Sequence, residues 1–559
     1  MAALPHLSGG AKAPTDDELV QGAAHWLRSV AGASQAKSVA YVETAGGVHS
    51  PAPSGRSISS VLRPLRIPTI LIGSAALGGI STTRSAYESL VLAGYDVEAI
   101  LLFPSQGQLG NVAYLRELMR EGTFGEFGAP TKVFGLGGPS GSEGAAWGPP
   151  PQRYGSEEED KQRMQTFYEG LVHGNSEIGQ SGEESAGGLL DVIRHLRQRH
   201  AERIKELETL AGRSRSQVWW PFTQHVLTKH DKEVLVIDSA HGDHFDTLQN
   251  SESGSVLAPT FDGSASWWTQ CIGHSNPRLT LAAARAAGRY GHVIFPNASH
   301  GPAVRLTERL LGTRAGGQDA ISPGKGWADR VFFSDDGSTG MEIALKMAIA
   351  SARLRYGPEH SASPRVANGR RPGSLGGRPP REWEILGLKG SYHGDTIGAM
   401  DACEPSTYSQ AVDWYRGRGH WFDPPSVRFK DAKASVRLPE EIGGGTAEYG
   451  SIHRVYDVPS RLASDPLAAK YKEFIRRQLD RMVREDGRRF GALVIEPLVL
   501  GAGGMVFVDP LYQRVLVDVV RQSSDLFALT DAPLSSAKVN VAEIEDGTTW
   551  RGLPVIFDE

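Results

Sequence analysis

Four short stretches carry side chains whose types and spacing could do chemistry. In FFSDDGSTGMEIALKMA, residues 332–348, an expected apolar strand ends at Ser334 and turns through Asp335, Asp336 and Gly337. It then enters a helical pattern whose first turn holds Ser338 and Thr339. The free N–H groups and positive dipole end of a helix suit an anion, and Gly337 permits close approach. A Ser or Thr serving only as a helix cap would look the same. GSYHGDT, residues 390–396, follows the strand-like WEILGL, so Tyr392, His393 and Asp395 fall where α/β sheets place their ligands. ALVIEPLVLGAGGM delivers Glu496 to a glycine-rich turn, and GLPVIFDE brings Asp558 and Glu559 to the end of an expected strand.

A phosphate cradle, a flat aromatic face and two strand-end acids together match a phosphorylated heteroaromatic ring whose nitrogen must stay protonated. Pyridoxal phosphate meets that description: an aspartate on the pyridinium nitrogen keeps the ring an electron sink.

These residues resemble a known family. With VWWPFTQH (218–225), SWWTQCIGHSNPRL (266–279), GRYGHVIFPN (288–297), WYRGRGHWFDPP (414–425) and VDPLYQRVL, the motifs are similar to those of the 7,8-diaminopelargonic acid aminotransferases, class III, fold-type I enzymes of biotin synthesis. The resemblance implies that Gly337 and Ser338 hold the cofactor phosphate and that Tyr392 stacks near the ring and touches substrate. It implies that Asp558 pairs with the pyridine nitrogen, that Glu496 helps position the ring, and that Phe222, Trp267 and Asp395 belong to the substrate pocket. It also implies S-adenosylmethionine as amino donor, 7-keto-8-aminopelargonate as acceptor, a homodimer and a mitochondrial location. The family's Schiff-base lysine lies beyond the Asp558 strand, and neither Lys346 nor Lys389 matches it. The chain is therefore expected to be truncated before that lysine, with no catalytic residue assigned. Two other readings follow: a catalytically incomplete chain that binds the cofactor or pairs with an intact copy, and another class III aminotransferase acting on ornithine or γ-aminobutyrate. The tryptophan pair Trp267 and Trp268 argues against the latter.

Toward the N-terminus, YVETAGGVHSPAPSG (41–55) reads as a strand delivering Glu43 to a Gly-Gly turn, an arrangement that suits Mg²⁺ and a nucleotide phosphate. With RPLRIPTILIGSAALGGISTTRSAYESLVLAGYDV (63–97) it resembles dethiobiotin synthetase, which implies ATP and Mg²⁺, with Glu43 as the metal ligand. The P-loop such an enzyme needs, G-x-x-x-x-G-K-[ST], does not occur, so only the family's later half is expected.

The elements that must position these residues alternate strand and helix, which predicts parallel-sheet α/β domains. Residues 1–121 are expected to form a synthetase-like domain, 122–187 a low-complexity linker rich in Gly, Ser, Pro and Glu, and 188–559 the aminotransferase-like domain. Residues 188–211 are read as an amphipathic helix leading into that second domain. Residues 523–550 read as an insertion between the helix ending VVRQ and the strand of LPVIFDE. With 559 residues, 40% hydrophobic and 22% charged, the chain can bury more than one core. A formal net charge of only −5, with both signs interspersed, points away from nucleic acid and toward small molecules. No apolar run approaches the roughly 20 residues of a membrane span. The two cysteines, Cys271 and Cys403, are too few for a disulfide framework. The first residues show no targeting signal, which leaves a cytoplasmic location open.

Overall fold

The computed structural model describes residues 13–33, 40–44, 46–103, 110–120, 131–136, 155–173, 188–221, 223–251, 254–313, 322–356, 382–407, 409–527 and 550–559. They fall into two units, Met1–Ile294 and Phe295–Glu559. The expected mixed α/β class with parallel sheets is present in both.

The first unit is built on three parallel strands, β1 (Thr69–Ser74), β2 (Val97–Phe103) and β3 (Lys132–Gly135), in spatial order β1-β2-β3. The sequence VEAILLF has no polar alternation because β2 is covered on both faces. On one side Ile100 and Leu102 meet Tyr87 and Leu90 of the helix Gly79–Leu92 and Leu115 of the helix Asn111–Arg120. On the other, Ala99 and Leu101 meet Phe134, Leu136 and Val192. Val192 lies on the long helix Leu189–Gln217, whose Leu207 and Ala211 also pack on Val236, Leu248 and Leu257. Those last residues flank or lie in an antiparallel meander of β4 (Ile237–His241), β5 (His244–Ser251) and β6 (Gly254–Phe261).

Three expectations are corrected in this unit. The supposed linker 122–187 contains β3 and the helix Glu157–His173, because KVFG has an open strand edge to join and EEEDKQRMQTFYEGLVH carries acidic residues at the favourable helix end. The helix beginning at Leu189 does not lead away from the first sheet but covers it, anchored by His195 on the Glu98 carbonyl (3.0 Å) and Arg199 on the Glu98 carboxylate (3.0 Å). Residues 40–44, expected as a buried strand, form none, and Tyr41 and Val42 are exposed.

The second unit contains β7 (Trp383–Leu388), β8 (Gly419–Phe422), a meander of β9 (Ser426–Lys430), β10 (Lys433–Arg437) and β11 (Thr446–Glu448), then β12 (Arg489–Ile495), a short hairpin of β13 (Val499–Leu500) and β14 (Val506–Phe507), and β15 (Val555–Phe557). Four of these make a parallel sheet in the order β15-β12-β7-β8. The helix Gly337–Tyr356 covers one face through Met341, Leu345 and Ala348 against Ile385, Ala492 and Val494. The helices Pro466–Asp480 and Pro510–Gln522 cover the other through Tyr471, Ile475, Tyr512 and Leu516 against Leu386, Leu493 and Ile495. Residues 330–334, expected to enter the Gly337 turn as a strand, make no strand pairing, and Phe332 is exposed. The expected insertion lies mostly outside the described residues. Its flanks meet, since Arg551 and Gly552 donate to the Arg521 carbonyl (2.8 and 2.7 Å) and Leu553 to that of Val520 (2.9 Å).

A buried polar knot holds the second helical layer. Asp509 is fully buried, caps the helix Pro510–Gln522 through the Leu511 N–H (3.1 Å), and accepts both Arg461 Nη1 (2.6 Å) and Nη2 (3.0 Å). Tyr471 donates to the same carboxylate (2.9 Å), while Arg461 Nε reaches Asp465 (2.8 Å). Burial disfavours the guanidinium, but Asp509 more than offsets it and raises the Arg461 pKa. Removing one member strands a buried charge, so Asp509→Ala is expected to lower stability by about 3–5 kcal/mol in urea unfolding.

His420, at the edge of the sheet with its ring 4.7 Å from that of Phe422, is held down to about 4 by burial and secondarily by Arg488. A folded pKa below the unfolded one favours the native state above the unfolded pKa and loses that advantage as pH falls toward about 4. His420→Leu is therefore expected to flatten the decline of the urea midpoint between neutral and mildly acidic pH relative to the parent chain.

Candidate active site

The parallel sheet of the second unit brings three loops together at its carboxyl edge. β7 ends at Leu388, and the following turn is fixed by Ser391 Oγ donating to the Leu388 carbonyl (2.8 Å). Next the Tyr392 N–H donates to Glu496 Oε1 (2.8 Å), at the end of β12, while the Gly501 N–H donates to Glu496 Oε2 (2.7 Å). Glu496 thereby clamps two loops with both carboxylate oxygens. Burial is the main influence on it and raises its pKa, with those two N–H groups opposing.

At the end of β15 the Asp558 N–H continues the ladder to the Ile495 carbonyl (3.0 Å). Its Oδ2 accepts from His393 Nδ1 at 2.8 Å, across 165 residues of sequence. The His393 side chain is wholly buried and that of Asp558 is 26% exposed, so the pair presents a partly open carboxylate backed by a dry imidazole. Asp558 Oδ1 has no partner among the described residues.

The third loop is the start of the helix Gly337–Tyr356. Its cap is neither Ser338 nor Thr339 but Asp336, whose Oδ1 accepts the Thr339 N–H (2.9 Å) and whose Oδ2 accepts the Thr339 hydroxyl (2.8 Å). Those bonds, the Thr339 N–H first, lower the Asp336 pKa. Ser338 Oγ is left to accept the Asp395 N–H (3.0 Å), which docks the Tyr392 loop on the helix. Gly394 makes that docking possible: at φ +125° it lies where a Cβ would sit 2.4 Å from Ser338 Oγ and 2.9 Å from its Cα. The Tyr392 hydroxyl is hydrogen-bonded to the Asp395 carboxylate.

Gly337, Ser338, Tyr392, Asp395, Glu496 and Asp558 are therefore gathered at one edge of one sheet. The remaining expected site residues lie elsewhere. Phe222 is outside the described residues. Trp267 belongs to the first unit, where Ala265, Ser266, Trp267 and Trp268 run in succession at φ of 46–66°. Left-handed backbone costs roughly 1–2 kcal/mol per non-glycine residue. Buried Asp262 offsets it by accepting the Ser264 and Ser266 hydroxyls (3.0 Å each) and His274 Nε2 (2.8 Å). The turn displays both indoles, each 62% exposed. Glu43 sits in the exposed, irregular segment 40–44, and among the described residues no group of three or more His, Cys, Asp or Glu lies together as a metal site. The residue that sequence reasoning undervalued is His393. Its only signal was its place between a ring-bearing tyrosine and a glycine, and its partner stands at the far end of the chain.

Residues 258–437 match the aminotransferase class-III family. The matched segment includes Trp267, Gly337, Ser338, Tyr392 and Asp395. Over its whole length the chain is similar to a bifunctional dethiobiotin synthetase/adenosylmethionine-8-amino-7-oxononanoate aminotransferase from Emericella nidulans, with 40% identity covering 99% of this chain and 63% of that protein. A bifunctional dethiobiotin synthetase/7,8-diamino-pelargonic acid aminotransferase of Oryza sativa, described as mitochondrial, is 35% identical over 92% of this chain and 56% of its own length. The chain thus spans less than two thirds of these relatives. The solved adenosylmethionine-8-amino-7-oxononanoate aminotransferase of Methanocaldococcus jannaschii aligns over 58% of this chain and 53% of that one, at 16% identity and a TM-score of 0.36, too low to carry an argument.

Gly394→Ala would force Cβ into Ser338 in a backbone region unfavourable to alanine, so it is expected to cost about 2 kcal/mol. The loss should appear in urea unfolding of the full chain, and a companion Ser338→Gly substitution should recover part of it.

Proposed function

We propose that this chain serves biotin synthesis as a pyridoxal-phosphate-dependent aminotransferase. It would move an amino group from S-adenosylmethionine to 7-keto-8-aminopelargonate to give 7,8-diaminopelargonate. The observation that carries the reading is the His393–Asp558 pair, set at the same sheet edge as Ser338 and Tyr392. That donor set fits a phosphorylated pyridine: a helix start with a free serine hydroxyl hydrogen at one end, and a carboxylate with an open oxygen at the other.

When bound, the cofactor supplies an electron sink for the carbanion formed at the amino substrate's α-carbon. The chain's own groups would do the holding. Gly337 and Ser338 would take the phosphate by backbone N–H and hydroxyl donation, aided by the helix dipole. Asp558 Oδ1 would accept from the ring nitrogen and favour its protonated form. His393, donating from Nδ1, fixes the carboxylate plane from its buried side. Tyr392 would lie against the ring with its hydroxyl held by Asp395, while Glu496 fixes the Tyr392 backbone and so acts through position. Phe222, Trp267 and Asp395 would contribute to the substrate pocket, the exposed indole of Trp267 offering apolar surface for an aliphatic chain.

The parallel sheet of the first unit would correspond to the synthetase half of the relatives, with ATP as nucleotide and Glu43 as a Mg²⁺ ligand. Homodimeric assembly and a mitochondrial location complete the proposal, the latter supported by the description of the Oryza sativa relative.

Spectrophotometric titration of the purified chain with pyridoxal phosphate tests the cofactor assignment. A saturable change in the parent chain is expected, weakened at least tenfold in Asp558→Ala and less in His393→Gln. That ordering follows because a hydrogen bond to a charged group contributes about 1.5–3 kcal/mol. A parent chain with no saturable response would overturn the assignment.

A further inference from the structure

A cavity of about 340 Å³ lies inside the first unit, away from every residue assigned above. One wall comes from the end of the helix Gly79–Leu92 and the start of β2, with Val91, Leu92 and Val97; Arg63 and Arg66 contribute a second, and Asp238 of β4 a third. Its volume is in the range of small-molecule sites, which pair apolar walls with a few placed polar groups.

The charges decide what could enter. Arg66 is fully engaged, with Nε on Asp238 (2.9 Å), Nη2 on Asp96 (3.0 Å) and Nη1 on the Gly94 carbonyl (3.2 Å). Asp238 is completed from behind by Arg203 (2.7 Å). Arg63 is different: it is half-buried, and its guanidinium makes no hydrogen bond or ion pair among the described residues. Neighbouring Arg56 is paired with Asp16 (3.1 Å), and the Tyr95 hydroxyl donates to the Ser59 carbonyl (2.5 Å), so neither supplies a counter-ion. Burial lowers the Arg63 pKa, as an unmet cation requires. With Arg203 behind the wall counted, the described charges around the cavity leave one positive charge in excess, on Arg63, beside aliphatic surface.

We propose that this cavity binds a small aliphatic monocarboxylate, with its head on Arg63 and its chain along Val91, Leu92 and Val97. A single negative charge satisfies the single excess cation, and a bidentate carboxylate suits the planar guanidinium. The aliphatic wall favours a chain-bearing anion over a bare one. The proposal is independent of the cofactor reading of the second unit and stands or falls separately.

Isothermal titration of the full chain with hexanoate, hexylamine and inorganic phosphate tests it. Hexanoate should bind saturably at one site, and the amine and phosphate at least tenfold more weakly. Arg63→Gln should weaken hexanoate at least tenfold while circular dichroism and the urea midpoint stay unchanged, with Arg63→Lys intermediate. Leu92→Glu, which places an internal carboxylate in the wall while keeping the arginine, should abolish binding and guards against a folding defect in the first variant. Saturation absent in the parent chain, hexanoate binding indifferent to both Arg63→Gln and Leu92→Glu, or phosphate or amine binding equal to that of hexanoate would each overturn the proposal.

Discussion

The site of the second unit depends on a constraint of charge. Parallel strands that lie side by side deliver two carboxylates, Glu496 and Asp558, to neighbouring positions at the same edge, where burial first and the nearby Asp558 last disfavour the ionised form of Glu496. The fold gives them separate partners. Glu496 spends both oxygens on backbone N–H groups, and Asp558 takes the buried His393 imidazole. Because β12 lies between β7 and β15 in the sheet, the His393–Asp558 bond spans the middle strand and ties its two neighbours' loops together. The acids are thus the fasteners of the site's walls.

Support comes from each face of the sheet. On one side the Gly337–Tyr356 helix is brought to the Tyr392 loop by the Ser338–Asp395 bond and by Glu342 accepting the Gly398 N–H (3.0 Å). Gly394 is what allows that approach. On the other side the Arg461–Asp509 knot holds the cap of Pro510–Gln522, whose Gln513 reaches back to the Glu496 carbonyl (2.8 Å). In each of these cases a polar group closes a helix end or a strand end that burial would otherwise leave unpaired.

Legibility in the sequence followed the range of the forces involved. The runs TILIGS, VEAILLF, WEILGL and RFGALVI announced their strands because each is mostly apolar, with its polar residues at or next to an end. The segment KVFG did not, since four residues amid Gly and Pro become a strand only when an edge accepts them. Residues 330–334 misled in the other direction: RVFFS has strand composition but pairs with no strand among the described residues, and Phe332 is exposed. The helix from Leu189 was visible by its period, yet the period says only that one face is apolar, not which sheet it will cover.

The residue types of the site were readable directly. Acids after apolar strands, a tyrosine and histidine after WEILGL, and a glycine before Ser338 are local patterns, and local chemistry survives in a linear string. What tertiary structure alone decided was pairing: that Asp336 caps the helix, freeing Ser338 to accept Asp395, and that His393 rather than solvent backs Asp558. It also decided that Arg63 would be left beside aliphatic walls without an anion among the described residues. These outcomes turn on which distant groups share a small, dry volume, and in such a volume a partner's presence or absence changes the energy of a charge by more than any local preference can.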